Sequence, residues 1–373
     1  NPRNWTSRMR WTHTAIACFT AFVCTLASTI VTPSQSPAIK ADSASTDSVL
    51  PTSLFVFGLV FGPLLSDMGS EAFGRKVMYL TTLPLFAMFV LATAFENAPA
   101  GFLAFRFFSG LSCAPLLHLG FGTIFDIWTG RQRSSALTIY VFSMLLGVTF
   151  GPVIGGYIDE EYGIRGTQYV IIVLIVVCML PTIFMKETAK EAINRRKAGS
   201  SKPLAVSLYK QRRFTLRSSV CLAPLRMLVK EPILVVGSAY AAYHLGVLYD
   251  ICIAFPDMLR ETHHFKPSIQ GLSFVSMSIG VTIALALQLI CLSSSLPSDS
   301  SPPPLPKTLP PPPEWRLKPV LPAAFFLTIS LFILGWTTTF KIHWFVPLLC
   351  MSLYAANFLI ILISTLQFLL ESF

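Results

Sequence analysis

The chain has 373 residues, of which 53% are hydrophobic and only 12% charged, and its mean hydropathy is +0.63. This composition argues against a soluble enzyme, which rarely needs many long apolar stretches. A net charge of +10 would suit nucleic acid only if the basic residues shared one exposed module, and they are instead spread through the loops, so no nucleic-acid partner is expected.

Taken in chain order, apolar runs occupy 12–32, 50–68, 78–96, 101–125, 136–157, 167–185, 232–255, 268–292, 320–340 and 344–370. Most provide the roughly 20 residues that a helix needs to cross a bilayer core, so the expected fold is an all-α polytopic membrane protein. Charge placement sets the orientation. With the N-terminus cytoplasmic, 22 of the 28 Lys and Arg residues lie inside, five outside, and Arg106 lies within a span. The opposite orientation would violate the excess of inside positive charge seen in membrane proteins.

Three expected units follow. Residues 1–185 form an N-terminal six-helix bundle, 186–231 a basic cytoplasmic loop, and 232–373 a four-helix C-terminal bundle. Pro232 suits the first turn of the seventh helix. A Pro-rich cytoplasmic loop at 293–319 is expected to be extended, because proline cannot continue either flanking helix.

The loop between the second and third spans carries Gly62-Pro63, Glu71 and Gly74-Arg75-Lys76. Glycine permits a tight turn, and the carboxylate and cations stand at the cytosolic interface, where a carboxylate can cap a helix or pair with an arginine. Anchoring by inside positive charge accounts for Arg75 and Lys76 alone but not for the spaced glycine and glutamate. In the fourth span, Arg106 is costly in lipid and reads either as a transport residue or as an interfacial anchor. Asp126, at the inner end of that span, is expected to pair with Arg133 or another nearby cation as a latch. Gly147, Gly151 and Gly155 share one face of the fifth span, beside Pro152 and Gly156. That face serves either close helix packing or a hinge and seal.

In the seventh span, Asp250 reads either as a proton carrier or as an outer-vestibule hydrogen-bonding group. His118, Tyr243 and His244 are candidates for lining a substrate cavity, with ordinary packing as the alternative. The eight cysteines lack metal-ligand spacing and read as small buried hydrophobes. There is no credible nucleophile triad or phosphate-binding glycine loop, so neither an enzyme nor an ATP-driven pump is expected, and no cofactor. No cleavable signal peptide is apparent, and Asn4-Trp5-Thr6 falls on the cytoplasmic side, where it would go unglycosylated.

Together, Gly62-Pro63 with Ser70-Glu71 and Gly74-Arg75, Arg106-Phe107 with Gly110, and Leu146-Gly147 through Gly151-Pro152 and Gly155-Gly156 resemble the three signatures of the major facilitator superfamily. The subgroup resembled is the fungal twelve-span drug:proton antiporters, and Asn1-Pro2-Arg3-Asn4-Trp5 and Glu314-Trp315-Arg316-Leu317 add to the likeness. The resemblance implies two pseudo-symmetric helical bundles around a central cavity, the second incomplete because the sequence reaches ten spans of twelve. It implies proton-coupled export of drugs, toxins or secondary metabolites, from a plasma-membrane monomer surrounded by lipid. Proton-coupled uptake, and a non-transporting remnant or accessory protein, are the alternatives. By the same resemblance, Gly62, Pro63, Glu71, Gly74, Arg75 and Lys76 form the cytoplasmic gate motif and Arg106 couples protons. Gly147, Gly151, Pro152, Gly155 and Gly156 form the antiporter motif. Asp67 stands where the broad motif usually has glycine.

Overall fold

A chain crossing lipid must satisfy its backbone hydrogen bonds internally, and this sequence does so with helices. The computed structural model describes residues 2–33, 49–189, 192–193, 230–294, 316–339 and 343–372, and every regular element among them is helical. The spans run Ser7–Thr29, Leu50–Ser70, Arg75–Phe95 and Pro99–Ile127, then a continuous stretch Gly130–Phe184, then Pro232–His263, Pro267–Leu292, Val320–Thr337 and Phe345–Leu370. The 55-residue stretch is two spans meeting at Gly163, whose φ of 66° and ψ of −173° turn the chain back. Divided at Gly163, the nine membrane-length helical stretches among the described residues give ten, one for each apolar run of the sequence. Most of the 186–231 loop and of the 293–319 loop, with the expectations placed on them, lies outside the described residues, as do the side chains of Glu71 and Arg131.

Proline marks several helix starts. Pro51, Pro99, Pro232 and Pro267 all sit in a first turn, where the missing N–H costs nothing. The seventh helix continues to His263, about two turns past the expected end at 255, so Asp250 lies well inside the helix and not near its outer end.

Two cores divide the molecule. One draws on the first six spans and includes Leu26, Phe55, Phe86, Tyr79, Leu119 and Trp128. The other is built from spans seven to ten, around Phe255, Phe274, Tyr354 and Phe358. The fifth span serves both, giving Ala136, Leu137 and Tyr140 to the first core and Val141, Leu145 and Val148 to the second.

The glycine face of that span proves to be divided. Gly147, Gly151 and Gly155 lie against the first helix so closely that an added Cβ would run into the carbonyls of Phe22, Leu26 and Ile30. The hydroxyls of Thr25 and Thr29 complete the seam by donating across it to the carbonyls of Met144 and Val148, at 2.8 and 2.9 Å. In lipid there is little hydrophobic drive between helices, so small residues and interhelical hydrogen bonds must hold this pair together. These three glycines therefore pack against the first helix, inside the first bundle. Of the motif, only Pro152 and Gly156 reach the second bundle.

Gly155→Leu is expected to destabilise the folded protein by about 1–3 kcal/mol through forced separation of the first and fifth helices. Thermal melting of the purified protein in detergent, followed by size exclusion, measures this, with Gly246→Ala as the control because nothing lies within 4 Å of that Cβ position.

Candidate functional site

Three groups of residues have the chemistry and placement to matter in a moving membrane protein. The first stands at one end of the first bundle, at the turn between the second and third helices. Gly74 links the second and third helices with a φ of 95°, in the left-handed region that side chains avoid. An added Cβ there would also strike the carboxylate of Glu187. That carboxylate caps the third helix: its Oε1 accepts from the backbone N–H of Arg75 at 2.9 Å, and its Oε2 from that of Lys76 at 3.3 Å. It also accepts from the N–H groups of Thr188 and Ala189, at 3.1 and 3.0 Å. A negative charge at a helix N-terminus is favoured by the unpaired amides and the helix dipole.

The Arg75 side chain turns the other way, and its Nε donates to Asp126 Oδ2 at 2.7 Å. Gly122, by lacking a side chain, leaves the space that the guanidinium fills. Lys76 Nζ donates to the Ile183 carbonyl at 2.8 Å. The third, fourth and sixth spans are thus tied at one end by charge. Arg133 is the named partner expected for Asp126 from the sequence, but the close ion pair is with Arg75, while the Arg133 guanidinium lies 5.1 Å from the Phe125 ring centroid. The reason is reach: the turn at Gly74 carries Arg75 onto the fourth span.

The second group is Arg106, which is 1% exposed. Its Nη1 donates to the Ala27 carbonyl at 3.0 Å, and its guanidinium lies 5.9 and 5.8 Å from the Phe55 and Phe102 ring centroids. Its Nε and Nη2 have no partner among the described residues. The side chain is buried among the first, second and fourth spans, so the interfacial-anchor alternative does not fit. A buried guanidinium with unmet donors can bind an anion or water, or answer a neighbouring change of charge.

The third group joins the bundles. Gly156 and Gly271 approach backbone to backbone, and a Cβ on either would meet the carbonyl of Pro267 or Pro152. The Thr149 and Ser278 hydroxyls are 2.8 Å apart, and those of Ser28 and Tyr249 are 3.0 Å apart. At the end of the fifth span near Gly163, Glu160 accepts from the Ser268 N–H at 3.3 Å and lies 3.7 Å from Lys266 Nζ.

The remaining candidates are scattered. His118 is half-buried, with Nδ1 3.2 Å from the carbonyl of Ala114 on its own helix, and Gly62 packs directly against it. His244 is buried against Tyr240 and Tyr243, with ring centroids at 4.5 and 5.3 Å, whereas Tyr243 is 65% exposed. Asp250 is exposed, and its chain neighbour Tyr249 reaches Ser28, the residue after the Ala27 whose carbonyl Arg106 bonds. Pro63 lies in the first turn of the helix Gly62–Phe73, which also carries the backbone of Glu71.

Sequence reasoning misses Glu187, Thr25 and Thr29. Glu187 shows there only as one residue of the basic 186–231 loop. The threonines leave a readable signal, since they repeat at the same four-residue interval as the glycines they face.

Two helical cores that share the fifth span, with buried charge inside the first and polar contacts between them, define a polytopic helical membrane protein. The chain belongs to the Major Facilitator Superfamily, whose sequence pattern matches residues 17–372. It is 31% identical to efflux pump radE of Floropilus chiversii, over all of this chain and 71% of that protein. It is 28% identical to the MFS transporter prlG of Fungal sp. (strain NRRL 50135), over all of this chain and 80% of that one. Among solved structures, the partially occluded inward-open form of the xylose transporter XylE from E. coli superposes with a TM-score of 0.71 at 15% identity, covering 97% of this chain and 87% of the other. The proton:xylose symporter XylE bound to 6-bromo-6-deoxy-D-glucose gives 0.69 at 15% identity, covering 98% and 82%. At that identity the likeness establishes the fold.

Gly74→Ala is expected to cost about 1–2 kcal/mol from the left-handed backbone alone. It should cost more than Glu187→Gln, which keeps a capping oxygen and loses mainly its charge. Comparative thermal melts of the two variants give the order.

Proposed function

We propose that this chain is the transport unit of a secondary active carrier that moves small amphipathic organic compounds coupled to protons by alternating access. The observation that carries the reading is the junction along the fifth span. Two bundles meet there through glycine backbone contact, the Thr149–Ser278 hydroxyl pair and the aliphatic side chains of Val141, Leu145 and Val148, without the glycine–threonine seam that ties the same helix to the first. Net hydrogen bonds of this kind contribute about 0.5–1.5 kcal/mol each. Rocking of one bundle against the other needs such an interface.

Arg106 is assigned to proton coupling on its buried, incompletely bonded guanidinium, and Asp250 remains the second proposed proton-linked group. The Gly62–Lys76 region is the proposed inner gate, braced by Asp126 and Glu187. Pro152 and Gly156 are the proposed outer seal. His118, Tyr243 and His244 are proposed substrate contacts. A plasma-membrane location, a cytoplasmic N-terminus and monomeric function are part of the same proposal.

Two directions of flux compete. Export, in exchange for protons, is supported by the glycine–proline motif and by the likeness to radE, an efflux pump by name. Uptake with protons, the alternative weighed from the sequence, is supported by the shared fold of XylE, a proton:xylose symporter. The proposal rests on neither direction, and substrate class is read as drugs, toxins or secondary metabolites.

The deciding experiment is flux in proteoliposomes under an imposed pH gradient, with the organic substrate followed on the side opposite its loading. Coupled movement in either direction supports the reading, and its sign separates exchange from symport. Arg106→Ala is expected to lower proton-driven flux at least tenfold with folded abundance retained. Unchanged flux in that variant would remove Arg106 from the coupling mechanism. Asp250→Asn is expected to flatten the pH dependence, and a preserved profile would make Asp250 structural.

A further inference from the structure

The fifth span also meets the second bundle at its inner end, through side chains to which the sequence motifs assign nothing. Gln367, near the inner end of the tenth span, is 4% exposed, and its Nε2 lies 3.4 Å from the Ser134 carbonyl and 3.2 Å from Thr138 Oγ1. Its Oε1 accepts from Arg316 Nη1 at 2.8 Å, while Arg316 Nη2 lies 3.5 Å from Ser134 Oγ. Thr138 is fully buried, and its hydroxyl donates to the Ser134 carbonyl at 2.9 Å. Both ends of the Gln367 amide are therefore used, one toward each bundle.

We propose that Gln367 is the keystone of an inner latch, a positioning residue that holds the cytoplasmic ends of the fifth and tenth spans together in one phase of the transport cycle. The inference rests on the transporter reading above. Three features single out this node. Its polar groups are buried, so separation must hydrate them or leave them unmet, and that makes contact and opening two distinct states. Its members come from three places, the start of the fifth span, the segment before the ninth and the end of the tenth, so the node closes only when the bundles approach. It also lies on the same helix as the Gly156–Gly271 contact, toward the opposite end. The fifth span thus carries a polar closure inside and a backbone closure outside, and opening one end while keeping the other is the motion alternating access requires.

Each closure is suited to its place. The outer contact is centred on close backbone approach at Gly156 and Gly271, with the Glu160 carboxylate accepting from the Ser268 N–H beside it. The inner contact is directional, with an amide that fits only when its carbonyl faces Arg316 and its NH2 faces the fifth helix. Gln367→Leu keeps the volume and removes all of those bonds. Thr138→Val removes only the hydroxyl.

Hydrogen–deuterium exchange of the full chain in lipid nanodiscs, without substrate, tests the proposal. Gln367→Leu is expected to raise exchange at 132–138 and 363–370 by about tenfold, which equals about 1.4 kcal/mol of latch. Exchange at 152–156 and 267–272 should fall or stay level as the outer contact is kept. Thr138→Val should move the same inner segments in the same direction by less. Unchanged inner exchange in Gln367→Leu would overturn the latch, and so would a uniform rise along the whole chain, which would report lost stability. Because no transported substrate enters the measurement, failed flux in the unsubstituted protein would count against the transporter reading while leaving the exchange result to decide the latch.

Discussion

The seam between the first and fifth helices is the constraint on which the rest of the structure depends. Helices in lipid gain little from the hydrophobic effect, so they associate by close contact and by interhelical hydrogen bonds. Gly147, Gly151 and Gly155 allow that closeness, and Thr25 and Thr29 bond across it. Once the fifth span is held on that face, its opposite side, with Val141, Leu145, Val148 and Thr149, is turned toward the second core. One helix therefore packs into both bundles, by glycine and threonine contacts on the side facing the first helix and by aliphatic groups and a few hydroxyls on the side facing the second bundle.

Charge is used differently at the two ends of the first bundle. At one end, Arg75, Asp126, Glu187 and the amides of the third helix satisfy one another, and the cluster ties three spans together. Deeper in the bundle, Arg106 has one hydrogen bond, to the Ala27 carbonyl, and two donors without a partner among the described residues. A fully bonded network rigidifies its surroundings, whereas an incompletely bonded buried cation remains sensitive to what approaches it. The first arrangement suits a moving body and the second a coupling residue.

Much of the fold is legible in the amino-acid sequence. Ten apolar runs become ten spans, because backbone burial in lipid leaves the helix as the natural solution for such a sequence. The site is legible in part. Arg106 stands out because a charge inside an apolar run is conspicuous. Gly74-Arg75 stands out because glycine and cations recur at a helix junction. Glu187 is hidden because it lies 112 residues from Arg75, whose amide it caps. Gln367 and Thr138 are equally inconspicuous, because uncharged polar residues are common in apolar spans and local sequence does not show which neighbour they meet. Asp126 is readable as sitting at the end of its helix beside basic residues, but the sequence leaves open which cation it meets, and a turn at Gly74 decides that Arg75 reaches it.

The sequence by itself determined that this chain is helical, that it is embedded in membrane, and which glycines allow close approach. Those properties depend on the period and polarity of neighbouring residues, which are local. Only the tertiary structure decided which helix each glycine faces, that Arg75 rather than Arg133 closes on Asp126, and that the fifth span meets the second bundle at both ends. These depend on residues up to 233 positions apart, as with Ser134 and Gln367. Local preference cannot specify such a pairing, because it exists only after two independently formed helices have packed.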